Sequence, residues 1–136
     1  MIVVDASVLA TALADDGPDG QRARERLRGD RLAAPHLVDL EVASVWRRQC
    51  RAGKLPARRA AAALRSLQAL PLDRLGVHQL LSRCWALRDV LTVYDASYVA
   101  LAEALGAVLL TADMRLSRAP GLHCVVEALG SWPELP

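Results

Sequence analysis

Phenylalanine is absent from this chain of 136 residues, and the remaining aromatics are three Trp and two Tyr. A core must therefore be assembled from Leu, Val, Ala and Ile. With 53% hydrophobic residues there is enough of them, which excludes a disordered chain. Lysine is nearly absent too: Lys54 is the only one, and the other sixteen of the seventeen basic residues are Arg. Arginine is the better bidentate phosphate ligand, although an Arg- and Ala-rich composition also follows from a GC-rich genome. A formal net charge of +2 is too small to mark a nucleic-acid binder by itself. Cysteine is scarce and odd in number, Cys50, Cys84 and Cys124, with no C-x-x-C. That excludes a disulfide framework and a thiolate zinc site, and it suits a reducing cytoplasm. The N-terminus carries no basic run ahead of its apolar residues, so no signal peptide is expected. No apolar stretch approaches the ~18 residues of a membrane helix. Without repeats, low-complexity tracts or a separating linker, a single domain over residues 1–136 is expected.

What is present is an alternation of short apolar runs and helical patterns. Ile2-Val3-Val4 predicts a buried strand. Ser7 to Ala14 predicts a helix stopped by Asp15-Asp16-Gly17-Pro18, and Gln21 to Arg28 a charged surface helix before Gly29. Arg31 to Ala34 predicts a short strand. Helices are predicted over Leu37 to Ala52, closed by Gly53, and over Pro56 to Leu70. Leu72 to Leu75 is a weaker strand. Val77 to Leu87 and Tyr94 to Leu105 predict helices, the second ending at Gly106. Ala107 to Leu110 and His123 to Val126 predict the last two strands. Short, apolar, non-alternating strands separated by helices favour an α/β fold with a mainly parallel sheet covered on both faces. Ligands in such folds bind beyond the carboxyl ends of the strands.

Two acids stand at that edge, Asp5 after the first strand and Asp113 after Val108-Leu109-Leu110. An Asp after a strand commonly caps a helix or makes a turn. Glu41 and Asp95 lie on helices and share their faces with apolar residues: Leu37, Val38, Ser44 and Val45 for the first, Tyr98, Val99 and Ala102 for the second. A bare carboxylate is costly on such a face. Thr92-x-x-Asp95 also resembles a capping box, and a salt bridge to a nearby Arg would satisfy Glu41. By contrast Asp15, Asp16, Asp19, Asp30 and Glu134 lie in polar turns or termini, and Glu25 sits among arginines. If the four acids Asp5, Glu41, Asp95 and Asp113 converge, they repel, and a hard cation relieves them. Mg²⁺ takes oxygen ligands at ~2.0–2.1 Å and keeps several waters. Such a site suits phosphodiester hydrolysis, with one or two ions. His36, His78 and His123 are scattered and lack ligand spacing.

The segments Met1-Ile-Val-Val-Asp5-Ala-Ser7, Leu37-Val-Asp-Leu-Glu41-Val-Ala-Ser-Val-Trp46, Leu91-Thr-Val-Tyr-Asp95-Ala-Ser-Tyr-Val-Ala-Leu-Ala102 and Leu109-Leu-Thr-Ala-Asp113-Met-Arg-Leu116 together resemble the PIN-domain family. More narrowly they resemble the VapC toxins of bacterial toxin–antitoxin pairs. The resemblance runs from about Met1 to Leu129. It implies a three-layer α/β/α sandwich, with Asp5, Glu41, Asp95 and Asp113 as catalytic metal ligands. Ser7 and Thr111 are implied as supporting hydroxyls, which local turns or caps would explain equally. It also implies Mg²⁺ or Mn²⁺ as cofactor and endonucleolytic cleavage of RNA. The implied partners are a VapB-type antitoxin and a second copy of the chain, with DNA met only through the antitoxin. Arg88-Asp89-Val90-Leu91 lacks an Asn that many relatives carry there. No further acid follows Asp113 before Ala119, which could leave only one metal tightly held.

Arg47, Arg48, Arg51, Lys54, Arg58 and Arg59 form a basic stretch that would suit RNA phosphate, an acidic antitoxin segment or plain solvation. Trp46 and Trp85 could stack on bases, but their apolar helical settings favour core packing. The apolar helices around Leu9 to Leu13 and Ala60 to Leu70 would suit a partner helix or the core. A phosphoryl-transfer domain of the receiver or haloacid-dehalogenase type also places an Asp after a buried strand. It requires a lysine after a late strand, however, whereas Lys54 lies mid-chain between helices. The remaining alternative is a catalytically silent PIN-like module that only binds RNA or protein.

Overall fold

The computed structural model describes residues 1–130; the last six positions, Glu134 among them, lie outside it. Five strands alternate with helices: β1 (Ile2–Val4), α1 (Ala6–Ala14), α2 (Pro18–Leu27), β2 (Leu32–Pro35), α3 (Val38–Arg51), α4 (Ala57–Ala69), β3 (Leu72–Leu75), α5 (Leu81–Ala86), α6 (Val93–Leu105), β4 (Val108–Thr111), α7 (Met114–Ser117) and β5 (Val126–Ala128). Every strand pairing is parallel, in the order β3-β2-β1-β4-β5. The central strands are the apolar ones. Val3, Val4, Ala33, Ala34, Leu109 and Leu110 are inaccessible to solvent, whereas the edge strands β3 and β5 are half-buried. Strands covered on both faces have no polar side to alternate with, which is why Ile2-Val3-Val4 reads as one continuous run.

On one side α1 packs against α2, α3 and α4, and on the other α6 crosses β1, β2 and β4 with α5 beside it. The result is the expected three-layer α/β/α sandwich. Helix α6 is buried without interruption from Ala96 to Ala102, as a helix apolar all round must be. Its Thr92 cap accepts from the Asp95 amide (3.1 Å), and Gly106, at φ +61°, ends it in the left-handed turn that glycine adopts freely. At the α1–α2 corner Gly20 leaves no space for a side chain: a Cβ would stand 1.9 Å from the Asp15 carbonyl oxygen. Trp46 is 2% exposed, and its indole N–H donates to the Ala10 carbonyl (3.1 Å), joining α3 to α1.

Three predicted elements change and one is new. Pro18 begins α2 rather than merely breaking the chain, because a proline at the first helical position gives up no needed N–H. The helix expected over Val77 to Leu87 divides into a 3₁₀ turn at His78–Leu80 and the short α5. The short helix α7 after Asp113 was not foreseen. The last strand starts at Val126, not His123. There the His123 amide donates to the Glu103 carboxylate (2.6 Å), which also takes two bonds from Arg83 (2.7 and 3.0 Å). That ion pair holds the Glu103 carboxyl below its usual range, and it draws the approach to β5 away from the ladder.

Candidate active site

The sheet order places a topological switch point between β1 and β4. From β1 the chain winds outward through β2 and β3; from β4 it winds the opposite way to β5. The crevice at the carboxyl ends of those two central strands is where an open α/β sheet binds ligand. β1 delivers Asp5 to it and β4 delivers Thr111, with Asp113 two residues on.

Asp5 occupies the cap position of α1, yet its carboxylate makes no cap bond. Instead its Oδ2 accepts from two hydroxyls, Ser7 Oγ at 2.7 Å and Thr111 Oγ1 at 2.9 Å. Each hydroxyl is in turn the acceptor for a backbone N–H: Ala112 donates to Ser7 Oγ (3.1 Å) and Asp113 to Thr111 Oγ1 (3.0 Å). An amide can only donate, so each hydroxyl keeps its proton for Asp5. The two hydroxyls therefore lie against the acid, and they lock the end of β1 to the end of β4.

Glu41 sits in the first turn of α3, half-buried, and accepts from the Tyr98 hydroxyl at 2.6 Å. Burial pushes its carboxyl up, the Tyr98 bond holds it down, and the charges of Asp5 and Asp95 push it up again. The Asp95 carboxyl is likewise raised by burial and by the charges of Asp5 and Asp113, against the pull of Thr92 and Arg115. Each of the four acids thus acts electrostatically on at least one of the others. Asp113 has a local task as well: it caps α7, accepting from the Arg115 amide (2.9 Å), and its Oδ1 lies 3.5 Å from the exposed Arg115 guanidinium. Asp95 and Asp113 line one cleft of about 230 Å³ with Thr92 and Arg115. Among the described residues no three His, Cys, Asp or Glu close into a tight chelating group. The donors are all oxygens, and two of the carboxylates carry raised pKa values that nearby positive charge would reverse. That chemistry fits a hard cation retaining part of its water shell.

Sequence reading missed Tyr98 as a hydrogen-bond donor. A signal existed: in a chain with no Phe, a tyrosine among apolar residues on the face of Asp95 implies a buried partner for its hydroxyl, and Tyr98 is 0% exposed. The tryptophans separate. Trp46 is core, as expected; Trp85, also expected to pack inside, is 63% exposed. The short helix α5 presents it outward because Cys84 and Leu87 take the inner positions. In the basic stretch Arg59 is committed to the Ala14 carbonyl and to Asp16, while Arg47, Arg48, Arg51, Lys54 and Arg58 face solvent. His36, His78 and His123 stay outside the acid crevice, which contains no histidine contact among the described residues.

A family model described as the PIN domain matches residues 2–122. Ribonuclease VapC9 of Mycobacterium tuberculosis is 45% identical over 126 residues, covering 93% of this chain and 96% of that protein. Ribonuclease VapC3 of the same organism is 42% identical over 125 residues, 91% of each. Among solved structures, PAE2754 from Pyrobaculum aerophilum superposes with a TM-score of 0.69 at 25% identity, covering 92% of this chain and 81% of that one. The family model spans both strands that carry the acids and both helices that complete the crevice: this chain belongs to the PIN-domain family, in its VapC branch.

Proposed function

We propose that the chain is a Mg²⁺- or Mn²⁺-dependent endoribonuclease and the toxin of a toxin–antitoxin pair. The observation that carries this reading is the Asp5 carboxylate, held by Ser7 and Thr111 at the switch point and electrostatically coupled to Glu41 and Asp95. A carboxylate serving only as a helix cap would not be held away from its own helix amides. Relatives at 45% and 42% identity bear the name ribonuclease, which supports RNA as the substrate class. Asp5, Glu41, Asp95 and Asp113 would hold one or two ions. When bound, the cation supplies charge neutralisation at the phosphate and activation of the attacking water. Ser7 and Thr111 fix the direction of Asp5, Tyr98 fixes Glu41, and Arg115 at the rim of the same cleft suits a phosphate oxygen. The VapC likeness further supports one domain over residues 1–136, a VapB-type antitoxin that blocks the crevice, pairing with a second copy, DNA contact only through the antitoxin, and a cytoplasmic setting. Among the described residues no helix is long and apolar enough to cross a membrane.

The test is cleavage of pooled cellular RNA by purified chain freed of any co-purifying protein, with and without EDTA. Loss on chelation and recovery with Mg²⁺ or Mn²⁺ is the expected result. A folded, partner-free sample that cuts no RNA under any condition would point instead to a silent binding module.

Tyr98→Phe should lower the apparent affinity for Mn²⁺ by about 10- to 100-fold, the range found when a group that orients a metal ligand is removed. Titration calorimetry measures it directly, alongside circular dichroism to verify the fold. An unchanged Mn²⁺ affinity would show that Glu41 needs no such support.

A further inference from the structure

Trp85 and Tyr94 are each 63% exposed, so two of the four aromatic side chains among the described residues face solvent on neighbouring elements. Both line one cleft of about 340 Å³ whose other walls include Leu37, Leu81, Val93 and Ser97. The Arg88 guanidinium lies 4.8 Å from the centre of the Trp85 ring, a cation over an aromatic face. This cleft borders the acids on two elements. Tyr94 immediately precedes Asp95, and the Leu37 carbonyl accepts the Glu41 amide (3.0 Å). The Asp95–Asp113–Arg115 cleft begins across the first turn of α6. An extended chain passing over Asp95 would therefore meet aromatic rings on one side and a guanidinium on the other.

We propose that the Trp85–Tyr94 cleft is a nucleobase subsite, taking one unpaired base of the RNA next to the phosphate that is cut. The inference rests on the ribonuclease reading above and assigns part of its substrate recognition. Charge and continuity choose the occupant. Arg88 and Arg115 flank the path at its two ends, which suits a polyanion. The cleft is concave and within the range of small-ligand pockets, whereas a stable protein interface needs about 800 Å² from each partner. Stacking on Trp and Tyr is available to every base, so the subsite contributes affinity and position more than sequence choice.

Trp85 lies outside the core, so Trp85→Ala should fold normally. Binding is measured with random-sequence single-stranded RNA on the wild-type chain, Trp85→Ala and Trp85→Phe, in EDTA and in Ca²⁺. Wild type should bind about 10- to 100-fold more tightly than Trp85→Ala, with Trp85→Phe close to wild type. In cleavage assays the loss should fall on KM and leave kcat largely intact. A substrate abasic at the position beside its cut site should be handled alike by wild type and Trp85→Ala. Equal RNA affinity of wild type and Trp85→Ala overturns the proposal, as does a wild-type chain that binds no RNA in either condition. So does a Trp85→Ala chain that keeps RNA affinity but loses self-association, which would make the cleft a surface between copies. Failure of the ribonuclease reading itself is distinct: it appears as absent or chelator-insensitive cleavage by the wild type.

Discussion

Asp5→Asn should reduce RNA cleavage by about 10³-fold or more while leaving the fold intact and its Tm undiminished. The magnitude follows from the several kcal/mol that a bound cation contributes to phosphodiester hydrolysis, since Asp5 is the acid coupled to both Glu41 and Asp95. The fold should survive because one carboxylate oxygen accepts both hydroxyl bonds. An asparagine oxygen can accept the same two, and the amide nitrogen takes the place of the other oxygen. Removing the charge also removes a cause of the raised pKa at both neighbours. Those two carboxyls should titrate lower in the variant, and repulsion within the metal-free crevice should ease. Three measurements check this: single-turnover cleavage, thermal melting in EDTA and carboxyl titration by NMR. Full activity in a folded Asp5→Asn chain would sink the assignment of the site. A large drop in Tm would show instead that Asp5 mainly holds β1 to β4.

Trp46→Ala should cost about 3–5 kcal/mol of stability, a large part of the ~5–15 kcal/mol typical of a domain. Trp46 heads the largest fully buried side chains and bridges α3 to α1 through its indole N–H. Truncation leaves a void between the two helices, in a core otherwise built mostly of Leu, Val and Ala. The melting temperature should fall by at least ~10 °C. Trp46→Phe separates the contributions: it keeps most of the packing and loses the bond to Ala10, which is worth about 1 kcal/mol. Trp85→Ala is the internal comparison, and it should leave Tm nearly unchanged. Equal destabilisation by Trp46→Ala and Trp85→Ala would contradict the burial described for the two residues.

Those two tryptophans show where sequence reading stops. Both lie in apolar helical stretches, and periodicity states that a helix has an apolar face without stating how completely a neighbour covers it. For Trp46 the cover is α1, seated on the same side of the sheet; α5 is a short helix at the margin, and its inner positions go to Cys84 and Leu87. Tyr98 was legible as buried, from its place on the face of Asp95 with Val99 and Ala102. Its bond to Glu41 was not, because the two stand 57 residues apart and meet only through the packing of α6 near α3. The start of β5 was placed too early for a related reason. The segment from His123 has strand-like residues, but its first amide is taken by a carboxylate on α6.

The sequence by itself determined the parts that depend on neighbours along the chain. The short apolar runs specify strands, the β-branched Ile2-Val3-Val4 most plainly. Gly106 and Thr92 mark the ends of α6, and apolar faces interrupted by Glu41 and Asp95 single out two costly acids. Only the tertiary structure decided which of these parts meet. Parallel pairing of β1 with β4, more than a hundred residues apart, brings Thr111 to Asp5, and the strand order β3-β2-β1-β4-β5 puts the crevice at that seam. Local propensity is a property of a few consecutive residues, whereas strand order is settled by the burial of whole faces. A carboxylate's surroundings therefore belong to the fold, even when its cost is already visible in the sequence.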